Sequence, residues 1–106
     1  MNDPGKLNHL VTIQQSLPDR DSYGTEIARW SDVAKVWAEV SDISGREYTA
    51  MQQAVSNVSV RVRIRYRDGI TATMRVLDGA RVLEIISVIN ADGGRSELQL
   101  MCQEIR

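Results

Sequence analysis

The sequence predicts a mainly β fold: a small antiparallel β-barrel or sandwich of five to six strands, with one short helix at about 45–54. Three observations carry this reading. Residues 58–67 (VSVRVRIRYR) alternate without a fault, Val58, Val60, Val62, Ile64 and Tyr66 against Ser59, Arg61, Arg63, Arg65 and Arg67. Only a strand places those two sets on opposite faces. Residues 81–89 (RVLEIISVI) and 96–104 read as two more strands flanking a Gly-rich turn at 90–95. Finally, 106 residues make about one domain's worth of chain, and only one stretch carries a helix signature.

Taken in order, residues 1–5 form a polar tail. Residues 7–15 alternate as a first strand, with His9, Val11 and Ile13 on one face. Residues 16–25 (SLPDRDSYGT) hold Pro18, Gly24 and three charges with no periodicity, which predicts a loop. A loop that long in a small domain is usually functional or mobile. Residues 27–30 predict a short strand and 35–43 (KVWAEVSDI) a clearer one, with Val36, Ala38 and Val40 sharing a face. Ser44 and Glu47 then form a capping box, and Tyr48, Met51 and Val55 recur at helical spacing, which is most simply the packing face of the short helix.

After the alternating strand comes Asp68-Gly69. A three-residue loop at 67–69 would place Tyr66 opposite Ile70, Ile64 opposite Ala72, Val62 opposite Met74 and Val60 opposite Val76, leaving one face wholly apolar. The expectation is a hairpin with a G1 bulge and Gly69 in the left-handed region. Residues 81–89 are apolar on both faces, so that strand is expected to be covered on both sides. In the last strand Leu98, Leu100 and Cys102 point inward.

Composition narrows the function. With 42% hydrophobic and 25% charged residues, the chain is ordinary for a globular domain. No apolar run approaches the ~18 residues of a membrane helix, and residues 1–17 are too polar for a secretory signal. The expectation is therefore a soluble protein kept inside the cell, occupying 1–106 as a single domain. One cysteine, Cys102, excludes an intrachain disulfide, and one histidine, His9, excludes a His-pair or His-triad metal site. Neither a phosphate-binding glycine loop nor a nucleophile–base pair is present. A hydrolase built on Asp19 and Asp21 lacks any accompanying base, metal ligand or oxyanion device. No enzyme activity and no cofactor are expected.

The net charge of −1 is unevenly spread: residues 58–81 hold six arginines against Asp68 and Asp78, whereas the remainder is acidic. Arg61, Arg63, Arg65 and Arg67 would form a line about 20 Å long at strand spacing, with Arg75 facing Arg61 across the expected hairpin. Like charges directly opposite repel. Two readings stand side by side. The ladder contacts phosphate, for which the arginine fork is suited; or it is neutralised by Glu39, Asp42 or Glu47 on neighbouring elements or on another subunit. No aromatic residue interleaves the arginines, so base stacking is unsupported. The segment DRDSYG (Asp19, Arg20, Asp21, Ser22, Tyr23, Gly24) begins like a calcium loop but has Tyr23 at the fifth position and Trp30 at the twelfth. What remains is a polar loop with one aromatic residue, suited to touching a partner, or simply a solvated connection. Trp30 and Trp37 read as core or interface anchors, His9 as a hydrogen-bonded structural residue, and Cys102 as an inert buried thiol.

The ordered set HLVTIQQ (9–15), Trp30, VWAEVSDISGREY (36–48), VRIRYRDGI (62–70), MRV (74–76) and LQLMCQE (98–104) resembles the tailed-phage head–tail joining family, the head-closure or neck proteins. The likeness runs from about Lys6 to Glu104. It implies a structural part of a virion: a small β-barrel with one helix, forming a ring under the portal and adaptor, closing the DNA-filled head and offering a surface for the tail. It also implies a location in the virion neck after assembly in the bacterial host cytoplasm. Its partners would be portal, adaptor and tail proteins and further copies of itself, with no membrane. An internal loop helps close the channel in some members, and residues 16–25 are the candidate here. Arg61, Arg63, Arg65, Arg67 and Arg75 would then meet a neighbouring subunit or channel DNA, the latter non-specifically. The alternative is a free-standing nucleic-acid-binding barrel using Arg61, Arg63, Arg65 and Arg67.

Overall fold

The computed structural model describes residues 7–43, 58–90, 93–94 and 96–105. The expected helix at about 45–54, with Glu47, Tyr48, Met51 and Val55, lies outside them. The described residues form six strands: β1 (His9–Arg20), β2 (Glu26–Asp42), β3 (Val60–Arg65), β4 (Arg75–Asp78), β5 (Arg81–Ile89) and β6 (Glu97–Ile105). All neighbours are antiparallel, and the sheet closes into a barrel in the order β1-β2-β3-β6-β5-β4. Closure leaves no free edge within the barrel wall.

The alternation in the sequence becomes the barrel's inside and outside. Val60, Val62 and Ile64 are buried in a core with Val11, Ile13, Ala38, Val76, Leu83, Ile85, Leu98 and Leu100. Cys102 joins them, fully buried, and burial pushes its thiol up to about 12 from 9.0. The unfolded chain therefore gives up this proton near pH 9 while the folded chain keeps it. Between those two values the folded state binds more protons, so stability falls as pH rises, by about 1.4 kcal/mol per pH unit. Below pH 9 the thiol adds no pH dependence. Denaturant titrations at pH 8 to 11 are expected to show this loss in the wild type relative to Cys102→Ala, which lacks the group.

On the outer face of β5 and β6 a second apolar cluster joins Met101, Ile43 and Val58 with Ile86 and Ile89. The expectation that β5 is covered on both sides is thus met. A bulge at Ile86, where the β5–β6 register shifts between Ile85 and Ser87, changes the parity beyond it, so that Val88 packs on the core and Ile89 joins Ile86 in the outer cluster.

Three expectations are corrected. The first is the hairpin of β3 with the segment after Gly69. β3 pairs with β2 and β6, whereas β4 pairs with β1 and β5. β3 and β4 thus stand on opposite sides of the barrel, and residues 66–74 connect them across its end, bringing Ile70 and Met74 into the core. Arg75 lies opposite Gln14 and Glu84, not Arg61. Gly69 does adopt a left-handed φ of 87°, with open space where a Cβ would stand. Gly69→Val is therefore expected to impose only local backbone strain, of about 1–2 kcal/mol, and no change of strand register. Thermal unfolding measures the cost, and hydrogen exchange in β3 reports the register.

The second correction concerns residues 16–25. Ser16 to Arg20 continue β1 as strand, and the turn occupies only the few residues between β1 and β2. The third joins the two strands expected at 27–30 and 35–43 into one, β2, with a bulge at Val33 where the register to β1 shifts. The result is a two-stranded arm, with Ser16 opposite Trp30 and Arg20 opposite Glu26, reaching beyond the barrel. The molecule accordingly measures 48 × 27 × 26 Å.

Pro18 fits this arm for a specific reason. The Asp21 N–H donates to the Thr25 carbonyl at 3.0 Å, which makes Asp21/Thr25 a hydrogen-bonded pair. Counting back in twos, Asp19/Ile27 is hydrogen-bonded and Pro18/Ala28 is not. The proline nitrogen therefore faces the free edge, where no donor is required and where proline discourages stray strand pairing.

Candidate interaction surfaces

The arginines of β3 do share the outer face, but their environments differ. Arg63 is wedged between β2 and β6. Its Nε donates to Glu39 Oε1 at 2.9 Å and its Nη1 to Glu97 Oε2 at 3.2 Å, with only 12% of the side chain exposed. Burial disfavours its charge, but the two carboxylates outweigh that and raise its pKa. Glu39 was among the neutralising acids expected from the sequence. Asp42, another of them, pairs instead with Arg81, at 3.1 Å, and Arg81 also bonds Glu104 at 3.0 Å. Those two hydrogen bonds raise the Arg81 pKa. Arg63→Met keeps the aliphatic stem and removes both charged hydrogen bonds; it is expected to cost about 2 kcal/mol of stability, measured by urea unfolding.

Arg75 is also engaged within the barrel. Its Nε donates to Gln14 Oε1 at 2.8 Å, and its Cζ lies 4.0 Å from the centroid of the Trp30 ring. Trp30 thus anchors the base of the arm to β4 through a cation–π contact. Gln14 in turn donates to Asp32 at 2.8 Å. Arg61, Arg65 and Arg67 make no ion pair with any described residue; Arg65 and Arg67 are exposed and Arg61 half-buried.

The expected partner loop is the tip of the arm. Asp21 builds it: its Oδ1 accepts the N–H of Tyr23 at 2.9 Å and of Thr25 at 3.0 Å, and the Gly24 N–H donates to its carbonyl at 3.0 Å. Gly24 takes a φ of 82° that a side chain would resist. Arg20 Nη1 donates to the Gly24 carbonyl at 2.9 Å, and Asp19 holds Arg29 at 2.7 Å. Asp19, Arg20 and Asp21 therefore shape the tip, while Tyr23, 92% exposed, stands on it. His9 Nδ1 lies 3.4 Å from Asp78 Oδ1, in line with a structural role.

Two apolar pairs escape the sequence reading, which takes Trp37 singly as a core or interface anchor. Leu10 and Trp37 are cross-strand partners on the outer face of β1 and β2, and both are exposed, Trp37 by 56%. Beside them an open depression of about 400 Å³ is lined by Leu7, Asn8, Trp37 and Arg65. On the arm, Leu17 and Ile27 are exposed. Strand parity places them on the face that continues the barrel's interior side, past the point where any core lies beneath. Only the strand register reveals that both members of each pair share a face.

The comparisons with known proteins agree in scope. The model of a family described as phage head completion protein matches residues 2–105. Head completion protein gp7 of Enterobacteria phage HK97 is 34% identical over 108 residues, covering 95% of each chain. Among solved structures, the solution structure of protein SF1141 from Shigella flexneri 2a superposes with a TM-score of 0.74 at 32% identity, covering 97% of this chain and 96% of that one. A chain from the virion of the native gene transfer agent particle shares the fold, with a TM-score of 0.65 at 24% identity over 92% of this chain and 94% of that one.

Proposed function

This chain belongs to the phage head completion protein family, and on that premise we propose that it forms a ring under the portal and adaptor, closes the DNA-filled head and presents the attachment surface for the tail. The ring would hold roughly twelve copies joined by one repeated head-to-tail contact, the arrangement that closes by rotation. It sits in the virion neck after assembly in the bacterial host cytoplasm, and its neighbours are portal, adaptor and tail proteins and other copies of itself. No enzyme chemistry or cofactor enters this role. A chain isolated from the adaptor can remain monomeric, its docking contacts forming only on assembly.

The observation that carries the reading is the match along nearly the whole chain, from residue 2 to 105, to a single structural family. The barrel supports it: a closed wall with a projecting arm presents unlike surfaces on one molecule. The alternative, a free-standing nucleic-acid module on the arginine ladder, fits less well. Arg63 and Arg75 are held by contacts within the barrel, which leaves Arg61, Arg65 and Arg67 for phosphate.

The test is deletion of the gene from the phage that encodes it, followed by purification of particles. The expected particles have packaged heads that leak DNA and carry no tails, restored by the protein supplied in trans. Filled and tailed particles formed without it contradict the reading.

A further inference from the structure

Resting on that ring reading, we infer that the arm of each copy lies across the outer wall of the next, with Leu17 and Ile27 packed on the Leu10–Trp37 pair and Arg65. The occupant of the wall is therefore a second copy of this chain.

The two faces of one ribbon allow this contact only between molecules. Leu17 and Ile27 lie on the interior-side face of β1 and β2, and Leu10 and Trp37 on the exterior-side face of the same two strands. Opposite faces of a single ribbon cannot touch each other, so the two apolar pairs meet only between molecules. The contact is unlike-to-unlike and leaves each copy with one free arm and one free wall. Such contacts propagate until rotation closes them.

Charge points the same way. From Gln15 to Asp32 the arm carries Asp19, Asp21, Glu26 and Asp32 against Arg20 and Arg29, a net charge of −2. The wall beside Trp37 presents Arg65, with Arg61 further along β3, neither in an ion pair among the described residues. The depression lined by Leu7, Asn8, Trp37 and Arg65 offers both an apolar floor and a cationic rim. An acidic ribbon with an apolar stripe is complementary to it in both respects. Desolvating Trp37 and Arg65 together is also the composition expected at the centre of a specific contact.

A photo-reactive phenylalanine analogue in place of Ile27 tests this in assembled particles, because position 27 is exposed and a strand tolerates an aromatic side chain. Leu17 serves as a second position should the first variant fold poorly. Irradiation followed by peptide mapping is expected to link the arm to a second copy, at peptides containing Leu10, Trp37 or Arg65. Arg65→Glu is expected to weaken that cross-link. A cross-link only to another virion protein, or no cross-link from particles that contain the variant, overturns the contact while leaving the head-completion role intact. Absence of the wild-type protein from particles overturns the role itself and the contact with it.

Discussion

Val62→Asp is expected to abolish folding, while Arg61→Ser, one residue earlier, leaves stability within about 0.5 kcal/mol of the wild type. The two positions differ only in which way the strand turns them. Val62 is fully buried, between Val40 on β2 and Leu100 on β6. A carboxylate there has no partner, and its desolvation costs several kcal/mol even after the protein relaxes. Lost packing of the valine adds to that. The total approaches the whole stability of a domain this size, about 5–15 kcal/mol. Arg61 makes no ion pair among the described residues, and serine at that position buries no charge. Circular dichroism and thermal melting of the two variants separate the cases. Equal tolerance of both substitutions would contradict the barrel as described.

Replacing residues 18–28 with Asn-Gly is expected to keep the barrel and eliminate assembly. The new turn closes on Leu17/Arg29, a hydrogen-bonded pair in the observed register, which is where a two-residue turn fits. The Trp30–Arg75 contact at the arm's base remains. No core residue is removed, so the melting temperature of the isolated protein is expected to stay near that of the wild type. Tyr23 and Ile27 are lost, and with them most of the proposed contact to the next copy. Phage carrying the shortened arm are expected to fall to the titre of the gene deletion. Full titre with the short arm would confine the arm to a passive role.

The alternating arginines were legible because half the residues of β3 face outward and half the core, which imprints a period of two. The same logic identified the inward Leu98, Leu100 and Cys102 of β6, whereas β5, apolar on both faces, was legible from its nearly continuous apolar run. Partner choice was not legible. The apolar faces of β3 and of the segment around Met74 both point to the barrel's interior, so they match equally well as neighbours or as opposite walls. Asp68-Gly69 supplied a turn signal that the chain uses for a crossing connection instead. The arm was missed because both its faces meet solvent, which erases the hydrophobic alternation, and because Pro18 reads as a loop signal unless its edge position is known. The Arg63–Glu39–Glu97 group likewise needs the β2–β3 and β3–β6 registers before its members can be paired.

The most direct measurement is a cryo-electron microscopy reconstruction of the portal vertex in the phage that encodes this chain. The account predicts a ring of six-stranded barrels between the adaptor and the tail, each extending its arm onto the adjacent barrel. A vertex with head and tail joined, resolved well enough to trace strands and containing no such barrel, would contradict it.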